Sequence, residues 1–131
     1  MRLRLFPTVD APSEARRGLT PLSGQMGEAS FADLRTVVSE LVTISVAHGA
    51  TKPIDLSLTL TEGLIEGIVY DEGPGTRAMV RAQALRDDSL VLRIINSLVD
   101  EWGTNRHQTR IWFRLGIEPP SPSMGDGAVG G

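Results

Sequence analysis

The clearest pattern in the chain is an apolar stripe with the period of an α-helix. Between residues 34 and 46, apolar or small residues recur at alternating steps of three and four: Leu34, Val37, Val38, Leu41, Val42, Ser45 and Val46. The helix is predicted to begin at Glu28 or Ser30 and to end at Gly49, because glycine is the preferred residue just beyond a helix C-terminus.

A second helical stripe appears further along the chain. It consists of Leu90, Val91, Ile94, Ile95, Leu98 and Trp102. Asp87, Asp88 or Ser89 can start this helix, since their side-chain oxygens accept hydrogen bonds from the first unpaired N–H groups. Gly103 is predicted to stop the helix, which then includes Trp102.

Other segments predict strands, most clearly Ile54 to Leu60, where apolar and polar residues alternate strictly. Residues 54–60 and 64–70 are separated by Thr61-Glu62-Gly63, and this arrangement predicts an antiparallel hairpin with a glycine-containing turn. Leu3 to Phe6 is predicted as an edge strand that ends before Pro7, and Thr109 to Leu115 as a closing strand.

The remaining segments have weaker patterns. Ser13 to Leu19 predicts one or two helical turns. Residues 118–131 are rich in Pro, Gly and Ser and cannot contribute a packed core, so we predict one domain at 1–117 followed by a disordered tail. Residues 76–88 show no clear period and are predicted to form a lid, in which three arginines either bind phosphate or only keep the loop soluble: Arg77, Arg81 and Arg86.

Composition narrows the class of protein. A chain of 131 residues that is 40% hydrophobic and 22% charged fits one globular domain. The absence of cysteine excludes disulfides and thiolate metal sites and makes the cytoplasm the expected compartment. No apolar run approaches the roughly 20 residues of a membrane span. A net charge of -3 and an aromatic content of 5% argue against nucleic-acid binding.

The first candidate for chemistry is an acidic glycine turn, Asp71-Glu72-Gly73-Pro74-Gly75, directly after the predicted hairpin. A carboxylate at a strand end can accept hydrogen bonds from the exocyclic amine of a purine, and glycine lets the backbone approach a ligand closely. The same string is also typical of a plain turn, in which Asp bonds its own backbone and Gly supplies positive φ. The motif alone leaves both interpretations open.

The second candidate is Glu40, which lies off the apolar stripe of its helix. Ile44 and His48 follow it at intervals of four, so the three residues stand in a row on successive turns. A carboxylate in this position near a phosphate can act as a general base. The alternative is an ordinary solvated glutamate, and His48 is explained by the preference for a cation at a helix C-terminus.

Four strings in this order resemble the motifs of the GHKL (histidine-kinase-like) ATPase superfamily, most nearly the anti-sigma-factor serine kinases of bacteria. They are Val37–Thr43, Asp71–Gly75, Leu92–Gly103 and Thr109–Phe113. The resemblance runs from about Leu3 to Leu115. It implies an α/β (α+β) sandwich with a mixed, mostly antiparallel sheet, helices on one face, and ATP bound between the helices and a lid.

The resemblance also assigns roles to individual residues. Glu40 matches the general base, Asp71 matches the residue that binds the adenine amino group, and Gly73 and Gly75 match the glycines beside the nucleotide. Ile44 stands where the family has the Asn that holds magnesium, and its side chain has no atom able to coordinate a metal.

The phosphate-binding motif departs from the family as well. Where the family has Gly-Leu-Gly-Leu, this chain has Ser89 and Val91 in place of the two glycines, and the Val91 side chain should crowd the backbone N–H groups that bind phosphate. We therefore expect ATP binding and phosphoryl transfer to be weakened or lost, without magnesium bound through the usual Asn. The resemblance implies a regulator that binds a sigma factor or its antagonist. The alternative is a nucleotide-independent interaction module, for example a homodimer, with a filled pocket.

Overall fold

Three α-helices, one 3-10 helix and five strands make up the part of the chain that the computed structural model describes, namely residues 1–47, 51–71, 90–104 and 110–120. The side chains of residues 90–92 are outside this description. In chain order the elements are β1 (Arg2–Leu5), α1 (Ala11–Gly18), the 3-10 helix (Thr20–Gln25), α2 (Glu28–Ala47), β2 (Ile54–Thr61), β3 (Leu64–Tyr70), α3 (Leu90–Leu98), β4 (Glu101–Thr104) and β5 (Arg110–Gly116).

The strands form one antiparallel sheet in the order β1-β2-β3-β5-β4. The predicted hairpin is confirmed: β2 and β3 pair from Asp55 opposite Tyr70 to Thr61 opposite Leu64. Gly63 in its turn has φ of 73°, a conformation that side chains with a Cβ rarely adopt. The predicted edge position of β1 is also confirmed, whereas β5 lies inside the sheet and β4 forms the other edge.

Alternation along the strands places one side of the sheet against the helices. The buried strand residues on this inner face are Leu5, Ile54, Leu56, Leu58, Ile65, Val69, Ile111, Phe113 and Leu115. Helix α2 covers them with its stripe, of which Val46 is only half-buried and the other members are fully buried. The expected α+β sandwich with helices on one face is therefore confirmed.

Gly67 of β3 makes room for the largest fully buried side chain, Phe113 of β5. The two residues are directly opposite each other, and a Cβ at position 67 would collide with the Phe113 ring and lie 3.0 Å from Leu58 Cδ2. The core at the centre of the sheet therefore needs glycine at this position.

The predicted extent of the last helix is wrong. Helix α3 ends at Leu98, and Trp102 and Gly103 belong to strand β4. Trp102 continues the spacing of the helical stripe, but it pairs with Phe113 on the neighbouring strand. Gly103 stops no helix; it is buried in the strand, where a Cβ would come within 2.8 Å of the Trp112 ring.

Several predictions concern residues outside the described ranges. These are the helix end at Gly49, the caps at residues 87–89, the lid at 76–88 and most of the tail. Of the tail, Glu118 is described: its N–H donates to Ser30 Oγ at 2.8 Å, and its carbonyl accepts from Gly27 N–H at 3.0 Å. Within the described ranges, no helix combines the length and the apolar character needed to cross a membrane.

Candidate functional site

A buried hydrogen bond marks the place where helix α2 meets the end of β3. The Ser45 hydroxyl donates to Asp71 Oδ2 at 2.6 Å. Ser45 is 0% exposed and Asp71 is 1% exposed. A short hydroxyl bond to a carboxylate is among the stronger kinds of hydrogen bond, and it fixes the orientation of the carboxylate.

The sheet determines where Asp71 lies. Tyr70 is paired on both sides, with Asp55 of β2 and Arg110 of β5, so β3 is held in the sheet up to its last residue. Asp71 is the first residue beyond the pairing and therefore has its position set by two neighbouring strands. Asp71 makes at least one further interaction besides the bond from Ser45.

Helix α2 supplies the opposite wall of the site. Ile44, directly before Ser45, is only 7% exposed, so its side chain belongs to the apolar core. Glu40 lies one turn earlier and is half-buried. The helix thus presents a carboxylate, a buried hydrocarbon side chain and a buried hydroxyl in succession toward its C-terminal end.

Among known proteins, the chain matches solved structures. No protein-family model and no curated protein matches the chain. A crystal structure of the RsbU and RsbW domains of Rv1364c from Mycobacterium tuberculosis matches 94% of the chain with a TM-score of 0.66 and 20% identity, and the match covers 34% of that structure's chain. RsbW belongs to the GHKL family. The chain has the histidine-kinase-like ATPase fold. It spans about a third of the length of the chain it matches.

Not all residues that the sequence assigned to the candidate nucleotide site are described. Asp71, Glu40 and Ile44 are, and the structure places Asp71 against the residue that follows Ile44. Gly73, Gly75 and Ser89 lie outside the described ranges, and for Val91 only its place in α3 is described. The space between Ile44 and Val91, on which the two interpretations of the pocket depend, therefore stays a matter of prediction.

Sequence reasoning missed the role of Ser45. The residue was counted as a small member of the apolar stripe, because its spacing fits the stripe. A polar side chain on the buried face of a helix must find a hydrogen-bond partner, and this requirement is the signal that it has one. The identity of the partner, 26 residues further along the chain, depends on how β3 packs beside α2.

Asp71 and Ile44 differ in what their side chains can bind. A carboxylate such as that of Asp71 can accept hydrogen bonds, and Ser45 supplies one of them. The Ile44 side chain contains only carbon and hydrogen where a magnesium ligand is expected. Because it is buried in the core, it also leaves no room for a water molecule in its place. Asp71 is thus a hydrogen-bond acceptor, whereas the side chain at position 44 is not a metal ligand.

Proposed function

We propose that this chain is a regulatory protein of the anti-sigma-factor kinase type, in which nucleotide binding and phosphoryl transfer are weakened or lost. It acts in the cytoplasm by binding a partner protein, either a sigma factor or a protein that antagonises an anti-sigma factor. The proposal rests mainly on one observation: the carboxylate expected to bind adenine is built into the fold, while the position expected to hold magnesium is a core isoleucine.

The buried Ser45–Asp71 pair supports a retained adenine site. Burying a carboxylate is costly unless it is hydrogen-bonded, and here a serine hydroxyl helps to meet that cost. A carboxylate has more than one acceptor position, and the bond from Ser45 fixes the direction in which the Asp71 carboxylate points. With Asp71 only 1% exposed, adenine must displace neighbouring atoms to reach the carboxylate, and this displacement lowers its affinity.

Ile44 supports the loss of phosphoryl transfer. In phosphoryl transfer the metal bridges the phosphate oxygens and neutralises the charge that develops on them. A hydrocarbon side chain at this position supplies no ligand, so a triphosphate bound here keeps its charge uncompensated. If transfer does occur, Glu40 is the residue that removes the proton from the attacking hydroxyl.

The burial of Ile44 also favours a second candidate function, a nucleotide-independent interaction module. An isoleucine that belongs to the core occupies volume that a ligand would otherwise use. An interaction module of this kind binds its partner protein through its surface alone. It does not bind adenosine.

Calorimetric titration separates these possibilities. ATP, ADP and adenosine are titrated into the protein with and without magnesium, and inosine serves as the ligand control because its ring carries a carbonyl in place of the amine. We expect weak binding of adenosine at most, none of inosine, and no gain from magnesium. Tight, magnesium-dependent binding of ATP to the unmodified chain contradicts the proposal.

Variants then assign any binding to particular residues. Asp71→Ala removes both acceptor oxygens, so adenosine binding should be abolished. Asp10→Ala, at an exposed position, should leave it unchanged. Ile44→Asn alone should not restore full magnesium-dependent binding, because Ser89 and Val91 remain. Adenosine binding that survives Asp71→Ala rules out this carboxylate as the adenine acceptor.

The regulatory part of the proposal is tested with partners. Purified sigma factors and anti-sigma antagonists from the organism that encodes the chain are titrated against it, in the presence and absence of ATP. We expect one of them to bind with an affinity that ATP does not change. If none of them binds, the proposed class of partner is wrong.

A further inference from the structure

A pocket of about 280 Å³ lies in the groove where helices α1 and α2 pack together. The described residues that line it carry two hydroxyl groups, three guanidinium groups and one aromatic ring: Ser13, Thr20, Arg16, Arg17, Arg35 and Phe31. No carboxylate is among these lining residues. The pocket is therefore a positively charged recess between two helices.

Helical spacing explains why these side chains converge. Ser13, Arg16 and Arg17 lie within one turn of α1, and Thr20 follows one turn later at the start of the 3-10 helix. The two lining residues of α2 are also one turn apart. Ala11 and Ala15 on the opposite side of α1 are completely buried, so packing of this helix on the core turns its polar stripe toward the groove.

Two of the three guanidinium groups are held by neighbouring side chains. Arg16 Nη2 donates to Ser13 Oγ at 3.1 Å. The Arg35 guanidinium lies over the half-buried Phe31 ring, 5.8 Å from its centroid. A guanidinium has five N–H donors, so each of these contacts leaves donors for a ligand. Because both groups are already oriented, less side-chain entropy is lost when a ligand binds.

These arginines have no acidic partner in the described part of the chain. Arg16, Arg17 and Arg35 form no ion pair with any described carboxylate, whereas Arg4 and Arg114 on the sheet do. The chain as a whole has a net charge of -3, so this concentration of positive charge is a local exception. Repulsion between the three guanidinium groups is offset when an anion occupies the pocket.

We propose that this pocket binds the phosphate group of a phosphomonoester. Such a group carries about two negative charges near neutral pH and three terminal oxygens that accept paired N–H donors from arginine. The Ser13 and Thr20 hydroxyls supply further donors. A carboxylate has a single charge and two oxygens in one plane, so one arginine satisfies it. Three arginines around one pocket therefore favour phosphate over a carboxylate.

The size of the pocket limits the rest of the ligand. Pockets for whole small molecules usually measure roughly 300 to 1,000 Å³, and this pocket lies at the small end of that range. It has room for a phosphate with a few further atoms, as in phosphoserine or a small free phosphate ester, and not for a nucleotide. Phe31 provides an apolar wall for the carbon atoms next to the phosphate.

The pocket is separate from the candidate nucleotide site. Arg35 and Ile44 lie on the same helix, on the order of 14 Å apart along its axis at 1.5 Å per residue. None of the residues that line the pocket belongs to the candidate nucleotide site. The inference therefore does not rest on the proposed function.

Calorimetric titration of the full chain in chloride buffer tests the proposal, with inorganic phosphate alone as the first probe. Phosphate should bind and acetate should not. Arg16→Gln and Arg35→Gln should each weaken phosphate binding at least tenfold, whereas Arg2→Gln, at an exposed position on β1 outside the pocket, should leave it unchanged. Arg16→Lys should also weaken it, because lysine retains the charge without the paired donors. Circular dichroism and thermal unfolding establish that the variants are folded.

Two further probes distinguish the sources of the phosphate group: a short alanine peptide with a central phosphoserine, and glycerol 3-phosphate. Tighter binding of the peptide assigns the pocket to a phosphorylated protein, tighter binding of the small ester assigns it to a free phosphate ester, and equal binding assigns it to the phosphate group alone. The proposal is overturned if phosphate does not bind, if acetate binds equally well, or if both glutamine variants bind phosphate normally. None of these probes contains adenine and adenosine contains no phosphate, so this pocket and the proposed function are tested separately.

Discussion

The Ser45 hydroxyl lies 2.6 Å from Asp71 Oδ2, and this bond joins the core helix α2 to the end of β3. Both residues are almost completely buried, so neither can exchange its partner for bulk water. The bond therefore connects two elements of the fold at the candidate site. Its contributions to stability and to ligand binding can be measured separately.

We expect Ser45→Ala to lower the free energy of unfolding by about 1 to 3 kcal/mol, because it removes a donor from a buried carboxylate. Urea unfolding at neutral pH measures the change. Ser97→Ala is the matched control: the Ser97 hydroxyl bonds the carbonyl of Ile94 on an exposed face of α3, and its loss should stay within about 0.5 kcal/mol. If the two variants lower the free energy of unfolding equally, the Ser45–Asp71 bond contributes no more to stability than an exposed hydrogen bond.

Gly67→Ala should destabilise the protein by about 1 to 3 kcal/mol, because the new methyl group collides with the Phe113 ring. Gly24→Ala is the control, since a Cβ there meets nothing within 4 Å. In a protein that already carries Phe113→Leu, Gly67→Ala should cost less stability than it does in the unmodified protein, because the smaller side chain leaves room for the methyl group. A double-mutant cycle measured by urea unfolding gives this difference. A cycle without coupling contradicts the contact.

Asp100→Ala should weaken the connection between α3 and the sheet. Asp100 Oδ2 accepts from the Gly116 N–H at 2.6 Å, at the point where the chain leaves the helix for β4. The exposed setting limits the expected loss to about 0.5 to 1.5 kcal/mol in urea unfolding. Asp10→Ala is the control, because the Asp10 side chain makes no capping hydrogen bond to α1. If Asp10→Ala costs as much stability as Asp100→Ala, the prediction is wrong.

Ile44→Asn should cost about 2 to 4 kcal/mol of stability, since it replaces core hydrocarbon with an amide that needs partners. Val46→Asn on the same helix, at a half-buried position, should cost clearly less. Thermal and urea unfolding measure both. If the two variants are equally stable, position 44 faces water, and the argument that Ile44 fills the site fails.

Most of the secondary structure could be predicted from the sequence, because each element has a period of its own. Strict alternation predicted a strand from Ile54 to Leu60, one residue short of β2, and steps of three and four identified the stripe of α2. The prediction failed at Trp102, whose spacing continues the stripe of α3. Pairing with Phe113 in the sheet outweighs the local helical signal there, since burial and strand pairing involve residues far apart in the chain.

The candidate site shows the same division. The chemistry of Asp71, Glu40 and Ile44 could be read from the sequence, because a carboxylate accepts hydrogen bonds and an isoleucine cannot bind a metal wherever they lie. That Ser45 is the partner of Asp71 was decided only by tertiary structure. This pairing depends on which elements become neighbours, and the packing of the whole core determines that arrangement.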